Sequence, residues 1–234
     1  MKITQNQFNK LAYINEGEEG IVRRKDGLAL KQMWKNEFPQ YKKDSIDYQM
    51  DLISDSFIFP IDRLYISGLY AGYVQKFLDK SNPTLSDLNN LRTTLILIRI
   101  VEKNISVLND NKIKAGDLLK RNCLFDNAII IIDTSKFTYE KNRDSYEIMF
   151  HNISKLSRLF TNLLFIQDDI PINLFIDFLK TSEATLKSYF RLVDTIDLEL
   201  FSQFLLTFMK EFNFQTIEEY RTKILSFKKF DLNT

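Results

Sequence analysis

Between residues 8 and 33 short apolar stretches alternate with turn signals. Leu11-Ala12-Tyr13-Ile14 is followed by the polar run Asn15 to Gly20, then Ile21-Val22, then Asp26-Gly27, then Leu28-Ala29-Leu30. An Asp-Gly pair between two apolar runs is a strong hairpin signal, so this stretch predicts antiparallel strands. From 41 to 53 the period changes. Ile46, Met50 and Ile53 recur at helical spacing and predict one amphipathic helix. Phe57-Ile58-Phe59-Pro60, residues 63–66 and residues 69–77 then resume strand character around a turn at Ser67-Gly68. Residues 1–80 therefore predict a small sheet carrying one helix.

After Ser81-Asn82-Pro83-Thr84 the pattern becomes helical. Residues 91–108 are apolar almost all round, with Leu95, Ile98, Val101, Ile105 and Leu108, which predicts a helix buried on most sides. Ala128-Ile129-Ile130-Ile131-Ile132 is β-branched and too short for an independent helix, so it reads as a buried strand. Further helices are predicted near 146–166, 171–190, 194–211 and 216–227. Pro171 suits a first-turn position, and Thr216 with Glu219 matches a capping box. The expected organisation is a sheet-bearing part, 1–80, and a mainly helical part, 81–234. The phenylalanines of the second part (Phe160, Phe175, Phe178, Phe190, Phe201, Phe204 and Phe208) read as core, with a partner surface as the alternative.

Charge narrows the partners. Lys plus Arg number 32 against 31 Asp plus Glu, so the chain lacks the basic excess that nucleic acid or an anionic membrane surface favours. The single cysteine, Cys123, cannot form an intramolecular disulfide, which fits a reducing compartment. The N-terminal residues turn polar at once and no apolar run reaches the roughly 20 residues of a membrane span, so a cytoplasmic chain without a membrane partner is expected.

With only six glycines in the chain, the pair in Gly17-Glu18-Glu19-Gly20-Ile21-Val22 stands out, at the turn of the first hairpin. Glycine there lets backbone amides approach phosphate oxygens. Lys31 ends the strand Leu28-Ala29-Leu30-Lys31 and, aimed into a cleft, would neutralise phosphate charge. Further on, Gly116-Asp117-Leu118-Leu119-Lys120-Arg121-Asn122 places Asp117 and Asn122 five apart, and Asp133 directly follows an apolar strand.

This set, in this order, resembles the protein-kinase-like superfamily, which includes bacterial protein Ser/Thr kinases and the aminoglycoside and choline phosphotransferases; the resemblance spans residues 10–137. It implies an α+β fold with a small antiparallel β-sheet lobe carrying one helix and a mainly α-helical second lobe. It further implies an ATP-dependent, magnesium-requiring kinase. Gly17 and Gly20 would lie over the phosphates, with Asn15 in place of the family's first glycine and Val22 beside the nucleotide. Lys31 would contact the phosphates, its acidic partner being Asp47 or, one turn on, Asp51. The backbone of Lys76 and Leu78 would hydrogen-bond adenine. Asp117 would receive the proton of the acceptor hydroxyl, while Asn122 and Asp133 hold magnesium.

Departures qualify the resemblance. Ala115 stands where the family has a catalytic-loop histidine, and Thr134-Ser135 follow Asp133 in place of Phe-Gly. No Ala-Pro-Glu appears, and no proline occurs between Pro83 and Pro171. A protein serine/threonine kinase is the first reading of the acceptor, a small-molecule kinase the second, and a pseudokinase interaction module the third. His151, the only histidine, reads as a surface or packing residue rather than a base.

Overall fold

The computed structural model describes residues 1–82 and 87–165, together with 206, 209–210, 213–219 and 222. The fold is α+β. Its largest element is a six-stranded sheet in the order β1-β5-β6-β4-β3-β2, formed by β1 (Lys2–Ile3), β2 (Ala12–Gly17), β3 (Gly20–Lys25), β4 (Leu28–Met33), β5 (Pro60–Ile66) and β6 (Leu69–Lys76). All neighbours are antiparallel except β1 and β5. The turns lie where the sequence marks them: Asp26 and Gly27 joining β3 to β4, and Ser67 and Gly68 joining β5 to β6, all have positive φ, the backbone that hairpin turns require.

Alternation along the strands gives the sheet two apolar faces. Leu30, Leu64, Ile66 and Val74 pack on one side against Phe8 of α1 (Gln5–Asn9). Met33 and Tyr73 pack on the other against Phe38 and Ile46, the latter from α2 (Gln40–Gln49). The sequence pattern did not disclose β1 and α1, although Thr4 and Gln7 form a capping box that is readable in the sequence.

Two helix expectations need correction. The predicted helix 41–53 stops at Gln49, leaving Ile53 88% exposed, so the apolar repeat overran its helix. Residues 91–108 form two helices, α3 (Leu91–Asn104) and α4 (Ser106–Asp110), joined at Ile105. Ile96 and Ile100, one turn apart on α3, are exposed among the described residues, so this helix buries one face rather than most of its circumference.

The other face of α3 joins the main core, in which Leu95, Ile98, Val101 and Leu108 meet Phe57, Phe59, Ile131 and Phe137. The Ile run forms a short strand, β9 (Ile129–Ile131), antiparallel to β8 (Cys123–Phe125). A second small pair joins β7 (Ile113–Lys114) to β10 (Thr138–Tyr139), and α5 (Ser145–Phe165) packs against α4 and β7. The predicted Thr216–Glu219 capping box forms, each side chain accepting from the other's backbone N–H. The helix expected at 171–190, most of those expected at 194–211 and 216–227, and the side chains of the seven phenylalanines named above lie outside the described residues. Among the described residues no helix is long and apolar enough to cross a membrane.

Candidate functional site

Strand register builds the first wall of the site. Val22 pairs with Lys31 across β3 and β4, and Lys31 pairs with Tyr73 across β4 and β6, so the three side chains share one face. Beyond Val22 the β2–β3 hairpin closes through Glu18 and Glu19, with Gly17 opposite Gly20. Trp34, just past β4, fastens this turn: its backbone N–H donates to the Glu19 carbonyl at 2.8 Å and its indole N–H to the Gly17 carbonyl at 3.1 Å.

A second hairpin and its flanks build the opposite wall. Asn122 immediately precedes β8 and Asp133 closely follows β9, so antiparallel pairing of those strands brings the two side chains together. The Ile132 N–H donates to the Asn122 carbonyl at 2.8 Å, and the Asn122 amide donates to the Asp117 carbonyl at 3.1 Å, closing the loop between them. Gly116 is needed here because a Cβ would lie 2.3 Å from the Lys136 carbonyl oxygen. Behind the loop, buried Asn152 of α5 accepts from the Ala115 N–H at 2.7 Å and donates to the Ile113 carbonyl. His151 lies 2.9 Å from the Ala115 carbonyl, its pKa pushed down by burial, in keeping with a packing role.

Between these walls lies a cavity of about 340 Å³, lined by Asn15, Gly17, Gly20, Val22, Lys31, Asp117, Asn122 and Asp133 from the sequence expectation, and by Glu18, Glu19, Arg121 and Lys136 besides. Lys76 and Leu78 do not line it. Lys76 ends β6 exposed, Leu78 is half-buried, and the N–H of Phe77 between them donates to the Gly27 carbonyl.

The deepest part of the site is an alternating chain of charges. Lys31 Nζ lies 2.7 Å from Asp133 Oδ1, 3.1 Å from Glu19 Oε2 and 3.0 Å from Ser135 Oγ, so its three N–H bonds all have acceptors. Ser135 Oγ is 2.7 Å from both carboxylates, and Tyr73 donates to Asp133 Oδ1 at 2.9 Å. Lys42 of α2 reaches the other Glu19 oxygen at 2.5 Å. Burial works to raise both carboxyl pKa values; the Lys31 charge and the converging hydrogen bonds outweigh it and hold Glu19 and Asp133 below their ordinary ranges. Tyr73 is pushed well up by burial and by Asp133. Asp133 has left-handed backbone, φ 58° and ψ 61°, a sparsely populated conformation held in place by these contacts. At the cavity mouth Lys136 Nζ lies 2.5 Å from Asp117 Oδ2, a bond that raises the lysine pKa.

The expected partner of Lys31 is corrected. Asp47 instead pairs with Arg63 through both carboxylate oxygens, at 2.8 and 2.9 Å, and accepts from Tyr70. Lys42, Ser45, Ile46 and Gln49 occupy the inward face of α2, and Asp47 lies about 100° round from Ile46 toward β5 and β6. Asp51 follows the helix and is exposed. Glu19 takes the place meant for them. It was visible only as one of two glutamates between paired glycines, with nothing to say which one turns inward.

Among the described residues no cluster of three or more His, Cys, Asp or Glu side chains surrounds one point. Asp133 and Asn122 nevertheless offer oxygen donors on one cavity wall. Three donors converge on Asp133 Oδ1, leaving Oδ2, and the Asn122 amide nitrogen is occupied, leaving its carbonyl oxygen. No family model matches the chain, and no curated protein matches it in sequence.

Proposed function

We propose that this chain is a magnesium-dependent ATP phosphotransferase of the protein-kinase-like superfamily, acting as a compact cytoplasmic protein serine/threonine kinase. One observation carries the reading. Lys31, Asp117, Asn122 and Asp133, separated by up to 102 residues, line a single cavity with the glycine turn.

The donor set fits magnesium, which binds through one or two protein oxygens and fills its remaining positions with water and phosphate. Asp133 Oδ2 and Asn122 Oδ1 are the atoms that would hold the ion, whose charge would neutralise the phosphates. Lys31 gives a point cation beside them, and backbone N–H groups of the Gly17–Gly20 turn cover the phosphate oxygens. Lys136 holds Asp117 Oδ2, leaving Oδ1 to orient the acceptor hydroxyl and take its proton. The acceptor oxygen then bonds to the γ-phosphorus as the bridging oxygen departs with ADP. Positioning and charge neutralisation supply the rate.

A small-molecule kinase is the second reading, favoured by the missing Ala-Pro-Glu and the absence of any proline from 84 to 170. Radiolabelled ATP given to wild type and Asp133→Ala tests both. Label on protein supports the protein kinase, and transfer only to an added metabolite supports the small-molecule kinase. No transfer by wild type contradicts both and leaves a pseudokinase; equal transfer by Asp133→Ala contradicts the proposed site.

A further inference from the structure

Glu19 has the features of a positioning group rather than a surface charge. Its side chain is 9% exposed, and its carboxylate carries two ammonium groups, Lys31 on Oε2 and Lys42 on Oε1, with the one Ser135 hydroxyl proton shared between Oε2 and Asp133 Oδ1. Its own carbonyl is held by the Trp34 N–H, so backbone and side chain are both fixed. A carboxylate withdrawn this far from water is sustained only by such partners.

Helix α2 meets the site through a polar stripe. Lys42 bonds Glu19 and the Glu37 carbonyl, Ser45 accepts from the Tyr139 N–H at 3.0 Å, and Gln49 donates to the Phe137 carbonyl at 3.4 Å. Residues 42, 45 and 49 share one helix face, so α2 touches the glycine turn and the segment after Asp133 at once.

We infer that Glu19, from the turn of the first hairpin, positions Lys31, and that α2 acts on the site through Lys42 holding Glu19, with the acids on α2 taking no part. This rests on the proposed phosphotransferase for its kinetic consequences, though not for the position of Lys31. The ammonium lies between Glu19 and Asp133 and is pulled by both. With Glu19 neutralised, Lys31 shifts toward Asp133, the proposed metal ligand, and away from the phosphate position. With Lys42 removed, Glu19 Oε1 loses its donor and the carboxylate is free to rotate, an effect in the same direction and smaller.

Two measurements on the full chain test this, with Glu19→Gln, Glu19→Asp, Lys42→Met and Asp47→Asn. The first needs no nucleotide: the acylation rate of Lys31 by an amine-reactive reagent, read by mass spectrometry against the other lysines. Expected is a rise of roughly threefold or more in Glu19→Gln, a smaller rise in Lys42→Met, near-recovery in Glu19→Asp and none in Asp47→Asn. The second is transfer kinetics. Expected is a fall in kcat of roughly tenfold or more for Glu19→Gln with KM for MgATP changed less than threefold, and a double variant with Lys42→Met no worse than Glu19→Gln alone. Unchanged Lys31 reactivity in folded Glu19→Gln, or an effect of Asp47→Asn equal to it, overturns the inference. Altered Lys31 reactivity in Glu19→Gln, together with a wild-type chain that neither binds nor turns over ATP, sustains the positioning and sinks the phosphotransferase instead.

Discussion

At the scale of single residues, the proposed function assigns binding and chemistry to different side chains. Asp117 lies at the cavity mouth, bonded to Lys136, and is outside the Lys31 network. Asp117→Ala is therefore expected to lower transfer roughly 100-fold or more, the contribution of a positioned base, with MgATP affinity within about threefold of wild type by calorimetry. Near-normal turnover refutes the role. The Glu19 and Asp133 carboxylates give a pH signature. Glu19 and Asp133 titrate below their ordinary values of 4.5 and 3.8, so the native state binds fewer protons than the unfolded chain in that range. Their contribution is complete above the ordinary values and is lost as pH falls through the lower native ones. Urea midpoints should fall between pH 6 and pH 3.5, and less steeply for Glu19→Gln; identical slopes contradict a charged Glu19. Lys31, Asp117, Asn122 and Asp133 were legible because each is tied to a local pattern: a strand end, a five-residue spacing, an apolar run. Glu19, Lys42, Tyr73 and Ser135 were not, because their meeting depends on cross-strand register and on which way a turn residue points.

At the scale of elements, the two hairpins do the assembling. The first, β2–β3, was readable in its apolar runs and the glycine pair around Glu18-Glu19, with the Asp-Gly turn marking the next connection, β3 to β4. The second was read only as the strand after the loop, since its three-residue partner Cys123–Phe125 is too short to show a period. What aligns the loop before it is Asn152, one of two asparagines in the amphipathic helix α5, which carries no local signal. Gly116 shows how tight the alignment is. Gly116→Ala places a Cβ against the Lys136 carbonyl and is expected to cost about 1–3 kcal/mol in urea unfolding, as overpacking does. Because Lys136 also carries the ion pair to Asp117, transfer should fall with stability. A cost below about 0.5 kcal/mol would mean that the two segments part easily. The over-long helix at 41–53 and the divided 91–108 share one cause. Apolar spacing records which residues favour burial, whereas helix ends are set by caps and by what the chain meets next.

For the molecule as a whole, α+β character follows from the change of period after residue 80, and the cavity follows from joining the sheet's Lys31 face to the loop ending at Asp133. That joint is ionic. Lys31 and Asp133, distant in sequence, tie the wall made by the six-stranded sheet to the wall made by the second hairpin. On the proposed function the same joint is where metal-bound nucleotide would enter, its phosphates taking Lys31 and its cation taking Asp133. The most direct measurement is calorimetric titration of wild type, Lys31→Met and Asp133→Ala with MgATP, each first shown to be folded. Expected is saturable binding by wild type that is at least tenfold weaker in both variants; equal affinity in all three, or no binding by wild type, would contradict a shared magnesium-nucleotide site.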